Sequence, residues 1–202
     1  MSFAAMAAIT IHDVKNRLAA LAGRAEARGD AETLAVALDT AGALTRLLAF
    51  YRAETRTLVL DIDAHAPGDL AADLVRDEAG AARCPIECRL ADAPTLWFYD
   101  QALIRMVLAN ALQNARRFAR TRIVVSVVER GDWLEFVVRD DGPGFSAALL
   151  ADVAAAPVTR EGTGLGLQLA GHVAALHQHA GRRGELGVAN DGGGVFTLRL
   201  PR

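Results

Sequence analysis

Two asparagines stand one helical turn apart in the segment LANALQNARRF. Asn110 and Asn114 occupy positions i and i+4, so a helix would carry both amides on one face. Amide oxygens suit Mg²⁺, which takes few ligands from protein and otherwise coordinates water or phosphate oxygens. A solvated helix surface is the competing interpretation of this pair.

A carboxylate and two glycines follow in the segment RDDGPGF. Asp140 ends a predicted strand, and Gly142 and Gly144 come shortly after it. A buried carboxylate can accept the exocyclic amine of adenine, and glycines let the backbone approach a flat base closely. The competing interpretation of this segment is a simple turn.

The glycine run GTGLGL at positions 162–167 precedes a predicted helix. Its free amides, together with the helix dipole, would favour phosphate oxygens. The dinucleotide-binding fingerprint requires GxGxxG after a strand, and the P-loop requires GK followed by serine or threonine. Because the spacing here is GxGxG and no such lysine follows, the run fits neither of these motifs.

The elements that must position these motifs fall into two groups. Apolar residues recur in steps of three and four over the first fifty positions, which predicts two amphipathic helices. Gly29 and Asp30 interrupt the pattern, and Asp30 suits the N-cap of the second helix. Two helices joined by so short a turn form an antiparallel hairpin, and dimerisation into a four-helix bundle would bury both stripes. The stripes comprise Ile11, Val14, Leu18, Leu21 and Ala25 on the first helix and Leu34, Leu38, Ala41, Leu44 and Leu48 on the second.

The remainder of the chain has mixed α/β character. The predicted class is therefore α+β, with a helical hairpin domain at 1–55 and a mixed domain at 56–202. Pro67 lies near the start of one predicted helix, and Gly131 with Asp132 turns a predicted β-hairpin. A glycine-rich turn joins the last two strands. The other predicted strands lie at 57–62, 85–90, 122–130 and 133–140, and the predicted helices at 67–82, 100–118 and 167–180.

Composition argues against several classes of function. The 202 residues are 52% hydrophobic and 23% charged with a formal net charge of −2, so no surface for nucleic acid is indicated. No uninterrupted run of about 18 apolar residues occurs, and the N-terminus lacks a basic segment, so neither a membrane span nor a signal peptide is predicted. Cys84 and Cys88 lack a second Cys/His pair nearby and are interpreted as packing residues of a cytoplasmic protein.

Taken together, in this order and spacing, the three motifs resemble the ATP-binding domain shared by histidine kinases, Hsp90, gyrase B and MutL. The resemblance covers roughly residues 57–202 and implies the α/β sandwich of the Bergerat or GHKL type, with ATP and Mg²⁺ as cofactors. The closing segment GGGVFTLRLP is similar to the family's GxGxxFxxxLP. The matching positions are Asn110, Asn114 and the basic Arg117 of the NxxxNA box, Asp140, Gly142 and Gly144 of the DxGxG box, and Gly162, Thr163, Gly164, Leu165, Gly166 and Leu167 of the GxGLGL box.

The resemblance also implies roles for these residues. Asn114 would help to hold Mg²⁺, Asp140 would bind adenine, and the amides of GTGLGL would cradle the phosphates. Asn110 stands where the ATPases of this superfamily carry a catalytic glutamate, which favours the histidine-kinase branch. The short segment between Gly144 and Gly162 resembles the compact lid of nitrogen-regulation sensor kinases.

The segment IHDVKNRL resembles the phospho-acceptor box of histidine kinases, whose common forms read HExxTPL and HEIKNPL. A neutral imidazole at His12 is a good nucleophile toward phosphorus near physiological pH. Asp13 can accept the other imidazole N–H and take up the developing positive charge. Asn16 stands at i+4 from His12, and by resemblance it orients the water that hydrolyses a partner's aspartyl phosphate. A solvated side chain is the competing interpretation of Asn16.

These motifs predict a homodimeric histidine kinase that phosphorylates His12 and passes the phosphoryl group to an aspartate on a response-regulator receiver domain. Because eleven residues precede His12, we expect a separate sensor protein or the regulator itself to control activity. One alternative is a phosphotransfer adaptor or pseudokinase that binds partners without using ATP. Another is a serine kinase of the anti-sigma type, a class that lacks a histidine hairpin.

Overall fold

The computed structural model describes residues 3–80, 84–151 and 165–202. The chain divides into two compact units, Met1–Leu58 and Val59–Arg202. The first unit is a helical hairpin, and the second contains a five-stranded sheet with helices packed on it. The predicted α+β class is confirmed.

Two helices form the N-terminal unit, α1 (Phe3–Ala27) and α2 (Ala31–Glu54). Asp30 caps the second helix as predicted, because its Oδ1 accepts a hydrogen bond from the Thr33 N–H at 3.0 Å. The Thr33 hydroxyl donates to the other carboxylate oxygen at 2.6 Å. The short turn reverses the chain, so the two helices pack against each other as a hairpin.

Small residues occupy the buried positions of this hairpin. Ala22, Ala25 and Ala37 are buried, whereas Leu38, a member of the predicted stripe, is 58% exposed. Alanines let two helix backbones approach closely, so the larger apolar side chains project away from the contact. Burial of Leu38 was predicted for a dimer, and with this side chain exposed in the single chain it stays a prediction. The exposed large apolar side chains of this unit are Val14, Leu21, Val36, Leu38 and Leu47.

The composition of α2 departs from the prediction that no segment could span a membrane. By length and composition alone α2 could do so, with a mean hydropathy of 1.4 over its most apolar window. The core helix of a soluble protein meets the same criterion, and Asp39 and Arg46 lie in the middle turns of α2. Hydropathy therefore does not establish a membrane span here.

A mixed sheet organises the C-terminal unit. In chain order the elements are β1 (Asp63–His65), α3 (Pro67–Ala79), β2 (Ile86–Arg89), β3 (Trp97–Tyr99), α4 (Gln101–Phe118), β4 (Ile123–Arg130), β5 (Trp133–Asp140), α5 (Ala147–Ala151), α6 (Leu165–Leu176), β6 (Gln178–His179), β7 (Arg182–Arg183), β8 (Glu185–Asn190) and β9 (Gly194–Pro201). The strand order is β2-β4-β5-β9-β8, in which only the β2-β4 pair is parallel. The predicted hairpin of β4 and β5 turns at Gly131 and Asp132.

Three helices, α3, α4 and α6, pack on this sheet. Alternation along β5 sends Leu134 and Phe136 into the core, where Ile104 and Leu112 of α4 are also almost fully buried. The apolar stripe of α4 is thus anchored on the sheet, which leaves its polar residues outside the core. This anchoring positions the two asparagines.

The strand predicted at residues 57–62 is absent from that part of the chain. Val59 is 85% exposed, and strand pairing begins only at Asp63, where β1 aligns with β3. Because β3 is three residues long, it offers no pairing partner to the earlier residues. An apolar run without a neighbouring strand does not form a strand of its own.

The helix predicted at 167–180 ends earlier, at Leu176. The His177 N–H donates to the Ala174 carbonyl oxygen, a contact typical of a tightened last turn. The chain then turns at Gly181, and β6 pairs with β7. His177 and His179 therefore lie outside α6, contrary to the prediction that they share one helix with His172.

Candidate functional site

Helix α4 presents the two asparagines. Asp100 fixes its start, because the Asp100 Oδ1 accepts a hydrogen bond from the Leu103 N–H at 2.9 Å. Asn110 is half-buried and Asn114 is exposed, one turn apart and outside the fully buried stripe. Both amides are therefore carried on a helix whose position the core determines.

The glycine run meets the asparagines at Gly166, in the first turn of α6. A Cβ atom at this position would overlap the Asn110 amide, and Asn110 Oδ1 would lie 2.8 Å from it. The absence of a side chain at Gly166 leaves room for the Asn110 amide and brings the start of α6 directly onto α4. Leu165 and Gly166 open α6, while the predicted site residues Gly162, Thr163 and Gly164 lie outside the described part of the chain.

The aspartate loop, residues 140–145, meets the C-terminal end of α4 at Gly142. A Cβ atom on Gly142 would overlap the carbonyl oxygen of Phe118, the last residue of the helix. It would also lie 2.7 Å from Asp140 Oδ1. The structure thus brings residues of all three sequence motifs together around α4.

The carboxylate of Asp140 has a defined orientation at the end of β5. Its Oδ1 accepts a hydrogen bond from the Gly142 N–H at 2.8 Å, and the Gly194 N–H lies 3.5 Å from the same oxygen. Gly193 packs so closely that a Cβ atom there would overlap the Asp140 carbonyl oxygen. In the described part of the chain no hydrogen bond reaches Asp140 Oδ2, so this oxygen can accept an N–H from a ligand.

The neighbouring Asp141 ties the loop to a different segment. Its carboxylate accepts hydrogen bonds from the Thr121 hydroxyl, from the Thr121 N–H at 3.0 Å and from the Arg120 N–H at 2.8 Å. These bonds, that of the Thr121 side chain first, hold the pKa of Asp141 well below its usual range. Asp141 therefore joins the aspartate loop to the chain between α4 and β4.

Two arginines near the end of α4 differ in their surroundings. Arg116 is paired with Glu78 of α3 and so belongs to the packing between helices. Arg117, the predicted site residue, is exposed, and its guanidinium carbon lies 5.5 Å from the Phe118 ring centroid. A cation in this turn also suits the negative end of the helix dipole.

A buried polar pair, Asp100 and His177, links the start of α4 to the end of α6. Asp100 and His177 are only 5% and 4% exposed. The Asp100 N–H donates to His177 Nε2 at 3.1 Å, and His177 Nδ1 lies 2.7 Å from the Val173 carbonyl oxygen. Nδ1 must therefore carry the proton of a neutral ring. Asp100 Oδ2 also accepts from the Asp61 N–H at 2.9 Å, so three segments meet at this pair.

Acidification is expected to destabilise the protein through His177. Burial lowers the pKa of His177, so the folded state binds a proton less readily than the unfolded state. The stability that depends on the neutral ring is present above the ordinary histidine pKa of about 6.5 and is lost as pH falls below it. We expect the free energy of unfolding in urea to fall between pH 7 and pH 5, and His177→Gln to reduce this dependence.

The matched control for that measurement is His179→Gln. His179 is exposed, so this variant should retain the wild-type change in unfolding free energy between the two pH values. Identical pH dependence in wild type and His177→Gln would contradict the assignment to His177.

The acceptor segment lies in α1. The backbone of His12 is helical, and its side chain falls outside the described part of the structure. Asp13 and Asn16 are exposed, and Asn16 follows His12 by one helical turn. Among the residues that the structure describes, no group of three or more His, Cys, Asp or Glu side chains could hold a metal ion.

Several residues that build the site were missed from the sequence. Asp141 could have been suspected from the Asp doublet, because one carboxylate of such a pair often bonds to nearby backbone. The glycine triplet 192–194 predicts a turn, but not its packing on Asp140. Asn190 is hydrogen-bonded to Phe145, and no motif in the neighbouring sequence indicates this contact.

Comparison with known proteins identifies the family. The sequence profile described as histidine kinase-, DNA gyrase B- and HSP90-like ATPase matches residues 99–202. The chain belongs to this ATPase family. Two curated proteins resemble part of the chain. The signal transduction histidine-protein kinase AfsQ2 of Streptomyces coelicolor is 35% identical over 112 residues, and the sensor protein QseC of Escherichia coli is 35% identical over 96 residues.

The match to AfsQ2 covers 51% of this chain and 20% of that protein, and the match to QseC covers 45% and 20%. The matched part of the chain thus spans about a fifth of these relatives. Among solved structures, full-length ShkA in complex with AMPPNP has a TM-score of 0.73 at 21% identity, covering 97% of this chain and 45% of that chain. The Acinetobacter baumannii histidine kinase AdeS has a TM-score of 0.66 at 18% identity, covering 94% and 97%.

These two structural matches show that the chain has the same fold as ShkA and AdeS over the covered residues. The predicted resemblance to two-component sensor histidine kinases with a GHKL-type ATPase domain is confirmed by the family profile and by both relatives. The family assignment also supports nucleotide binding by the C-terminal unit.

Proposed function

We propose that the protein is an ATP-dependent protein-histidine kinase that phosphorylates His12 and passes the phosphoryl group to an aspartate of a response regulator. The observation that carries this proposal is the packing of Gly166 against Asn110 in the middle of α4 and of Gly142 against Phe118 at the end of the same helix. The same helix carries both asparagines, so residues of three nucleotide-binding motifs converge on one element. The relatives AfsQ2 and QseC, both named as signalling proteins, support the same class of activity.

The residues of this site fit ATP. Asp140 retains an oxygen that can accept the exocyclic amine of adenine. The glycines at 142 and 166 stand where any side chain would collide with α4, and the bare backbone there suits close approach to a ligand. The N-terminus of α6 favours phosphate oxygens, because the helix dipole is positive at that end.

The residues also fit Mg²⁺. Asn114 is exposed, and its amide has no hydrogen-bond partner in the described part of the chain, so its oxygen is free to act as a ligand. Asn110 lies against Gly166 and would define the wall beside that ligand. When bound, ATP would supply the phosphoryl group, and Mg²⁺ would offset the negative charge of its phosphates.

The acceptor chemistry belongs to the residues of α1. A neutral His12 imidazole is the nucleophile. The Asp13 carboxylate accepts a hydrogen bond from the other ring N–H and stabilises the positive charge that develops on the ring. Asn16 is assigned the orientation of water during hydrolysis of the regulator's aspartyl phosphate. The exposed position of Asp13 and Asn16 is compatible with contact to a partner.

We further propose a homodimer formed by the hairpin. Its exposed apolar side chains, including Val36 and Leu38, would be buried in a four-helix bundle with a second copy. The other proposed partners are a receiver domain and a separate sensor protein. The proposed location is the cytoplasm, without binding to membrane or nucleic acid.

Incubation of the full chain with γ-labelled ATP and Mg²⁺ tests this function. We expect a phosphoprotein whose label is lost in acid and retained in base, as phosphohistidine requires, and whose label moves to a receiver domain. Acid-stable label on a separate protein would instead indicate the serine-kinase alternative. Absence of ATP and ADP binding by calorimetry would contradict the kinase proposal and favour the phosphotransfer adaptor.

Substitution of Gly166 by alanine is expected to weaken Mg-ADP binding by about tenfold, which corresponds to about 1.4 kcal/mol. The added methyl group would displace the Asn110 amide, whose three side-chain heavy atoms all lie in its path. Isothermal titration calorimetry measures the effect. Gly171→Ala in the same helix is the control, because its nearest neighbour, Leu186 Cδ2, would lie at 4.0 Å. Equal affinity in both variants would contradict the role of the Asn110–Gly166 contact.

A further inference from the structure

The aspartate loop is hydrogen-bonded to a residue that precedes the turn between β8 and β9. At the end of β8, Asn190 Oδ1 accepts a hydrogen bond from the Phe145 N–H at 2.7 Å. Its Nδ2 donates to the Phe145 carbonyl oxygen at 2.9 Å. One side chain thus pairs with both backbone groups of a residue that directly follows Gly144.

The chemistry of this clamp requires an amide. Asparagine offers an acceptor oxygen and a donor NH₂ in one plane, whereas aspartate only accepts and alanine does neither. The fit is also close, because a Cβ atom at Gly144 would lie 2.5 Å from Asn190 Oδ1. Gly144 has a φ of +79°, so the clamp fixes the loop where its backbone is left-handed.

The same turn supports the other end of the loop. Gly193 packs on the Asp140 carbonyl group, and a Cβ atom at Gly194 would lie 2.6 Å from Asp140 Oδ2. The Asp191 N–H donates to the Gly193 carbonyl oxygen at 3.0 Å, which closes the turn. Asn190 therefore contacts the aspartate loop at Phe145, and Gly193 and Gly194 contact it at Asp140.

We propose that Asn190 is a positioning residue for the adenine subsite. By fixing Phe145 it determines the path of residues 140–144, and thereby the direction in which the Asp140 carboxylate faces the base. This inference rests on the proposed function and adds to it a residue that acts through Asp140. Loss of the clamp would weaken recognition of adenine more than recognition of phosphates, because the phosphate site is assigned to α6.

Calorimetry on the full chain with Mg-ADP and Mg-GDP tests this role. Asn190→Ala removes both hydrogen bonds, and Asn190→Asp keeps the acceptor while placing a second oxygen beside the Phe145 carbonyl. We expect each variant to lose about tenfold in ADP affinity, the effect of one to two hydrogen bonds. GDP affinity should change little, so the ratio of ADP to GDP affinity should fall.

The matched control is Asp191→Ala. Asp191 is the next residue in the same turn, and its side chain is 74% exposed and pairs with Arg139 at 2.7 Å. It makes no contact with Phe145 among the bonds described, so this variant should keep the wild-type ADP to GDP ratio. The thermal midpoint of each free variant is measured alongside.

The outcomes separate this inference from the function on which it rests. Wild-type affinity and ratio in both Asn190 variants would overturn the inference and leave the kinase proposal intact. Equal loss of ADP and GDP affinity with a lower thermal midpoint would also overturn it, because that pattern indicates general destabilisation. A wild-type chain that binds no ADP would overturn the proposed function itself.

Discussion

Replacement of His12 by glutamine is expected to abolish phosphorylation of the protein. Glutamine is similar in size and also polar, but its amide is not a nucleophile toward phosphorus, so the covalent step has no acceptor. We expect label from γ-labelled ATP to fall below about 1% of wild type, the scale of loss when a nucleophile is removed. Gel autoradiography after a fixed incubation measures the label.

Two controls distinguish loss of the acceptor from loss of the fold. His12→Gln should bind Mg-ADP with wild-type affinity, because all the proposed nucleotide ligands lie in the C-terminal unit. His179→Gln, at an exposed position of that unit, should retain full labelling. Label that persists in His12→Gln would show that another residue accepts the phosphoryl group.

Replacement of Gly193 by alanine is expected to lower the free energy of unfolding by about 3 kcal/mol or more, at the upper end of overpacking effects. The methyl group would overlap the Asp140 carbonyl oxygen and lie 2.7 Å from the Asp141 Cα. Both neighbours are backbone atoms of a sheet strand and its loop, so neither can rotate away. Urea unfolding followed by far-UV circular dichroism measures the change.

The adjacent Gly192 supplies the control for this substitution. It has a φ of +68° and no atom within 4 Å of an added Cβ, so alanine there meets backbone strain without collision. That strain costs about 1 kcal/mol. If Gly192→Ala and Gly193→Ala destabilised the protein equally, close packing on Asp140 would not be the cause.

The parts of the fold that sequence reasoning predicted correctly depend on short-range patterns. Asp30, the predicted N-cap, precedes α2 and accepts a hydrogen bond from Thr33, three positions later. The hairpin of β4 and β5 follows from alternating apolar residues on either side of Gly131 and Asp132. Such signals lie within a few residues of one another and therefore survive in the sequence alone.

The parts that could not be predicted depend on residues far apart in the chain. His177 bonds to Asp100 across 77 positions, and Asn190 bonds to Phe145 across 45. Neither pair is indicated by a periodic pattern or by the composition of the sequence. The helical hairpin of α1 and α2 illustrates a different limit. A helical period identifies an apolar face, but it does not determine whether Ala37 or Leu38 makes the closest contact.

The inner position of β9 in the sheet has a consequence for truncated chains. β9 follows the other described strands in the sequence, yet it pairs between β5 and β8 and carries Gly194 beside the Asp140 carboxylate. A nascent chain that ends before residue 194 lacks the strand that completes the sheet and backs that carboxylate. Under the proposed function, adenine recognition should thus require β9, so chains truncated before residue 194 would not bind nucleotide.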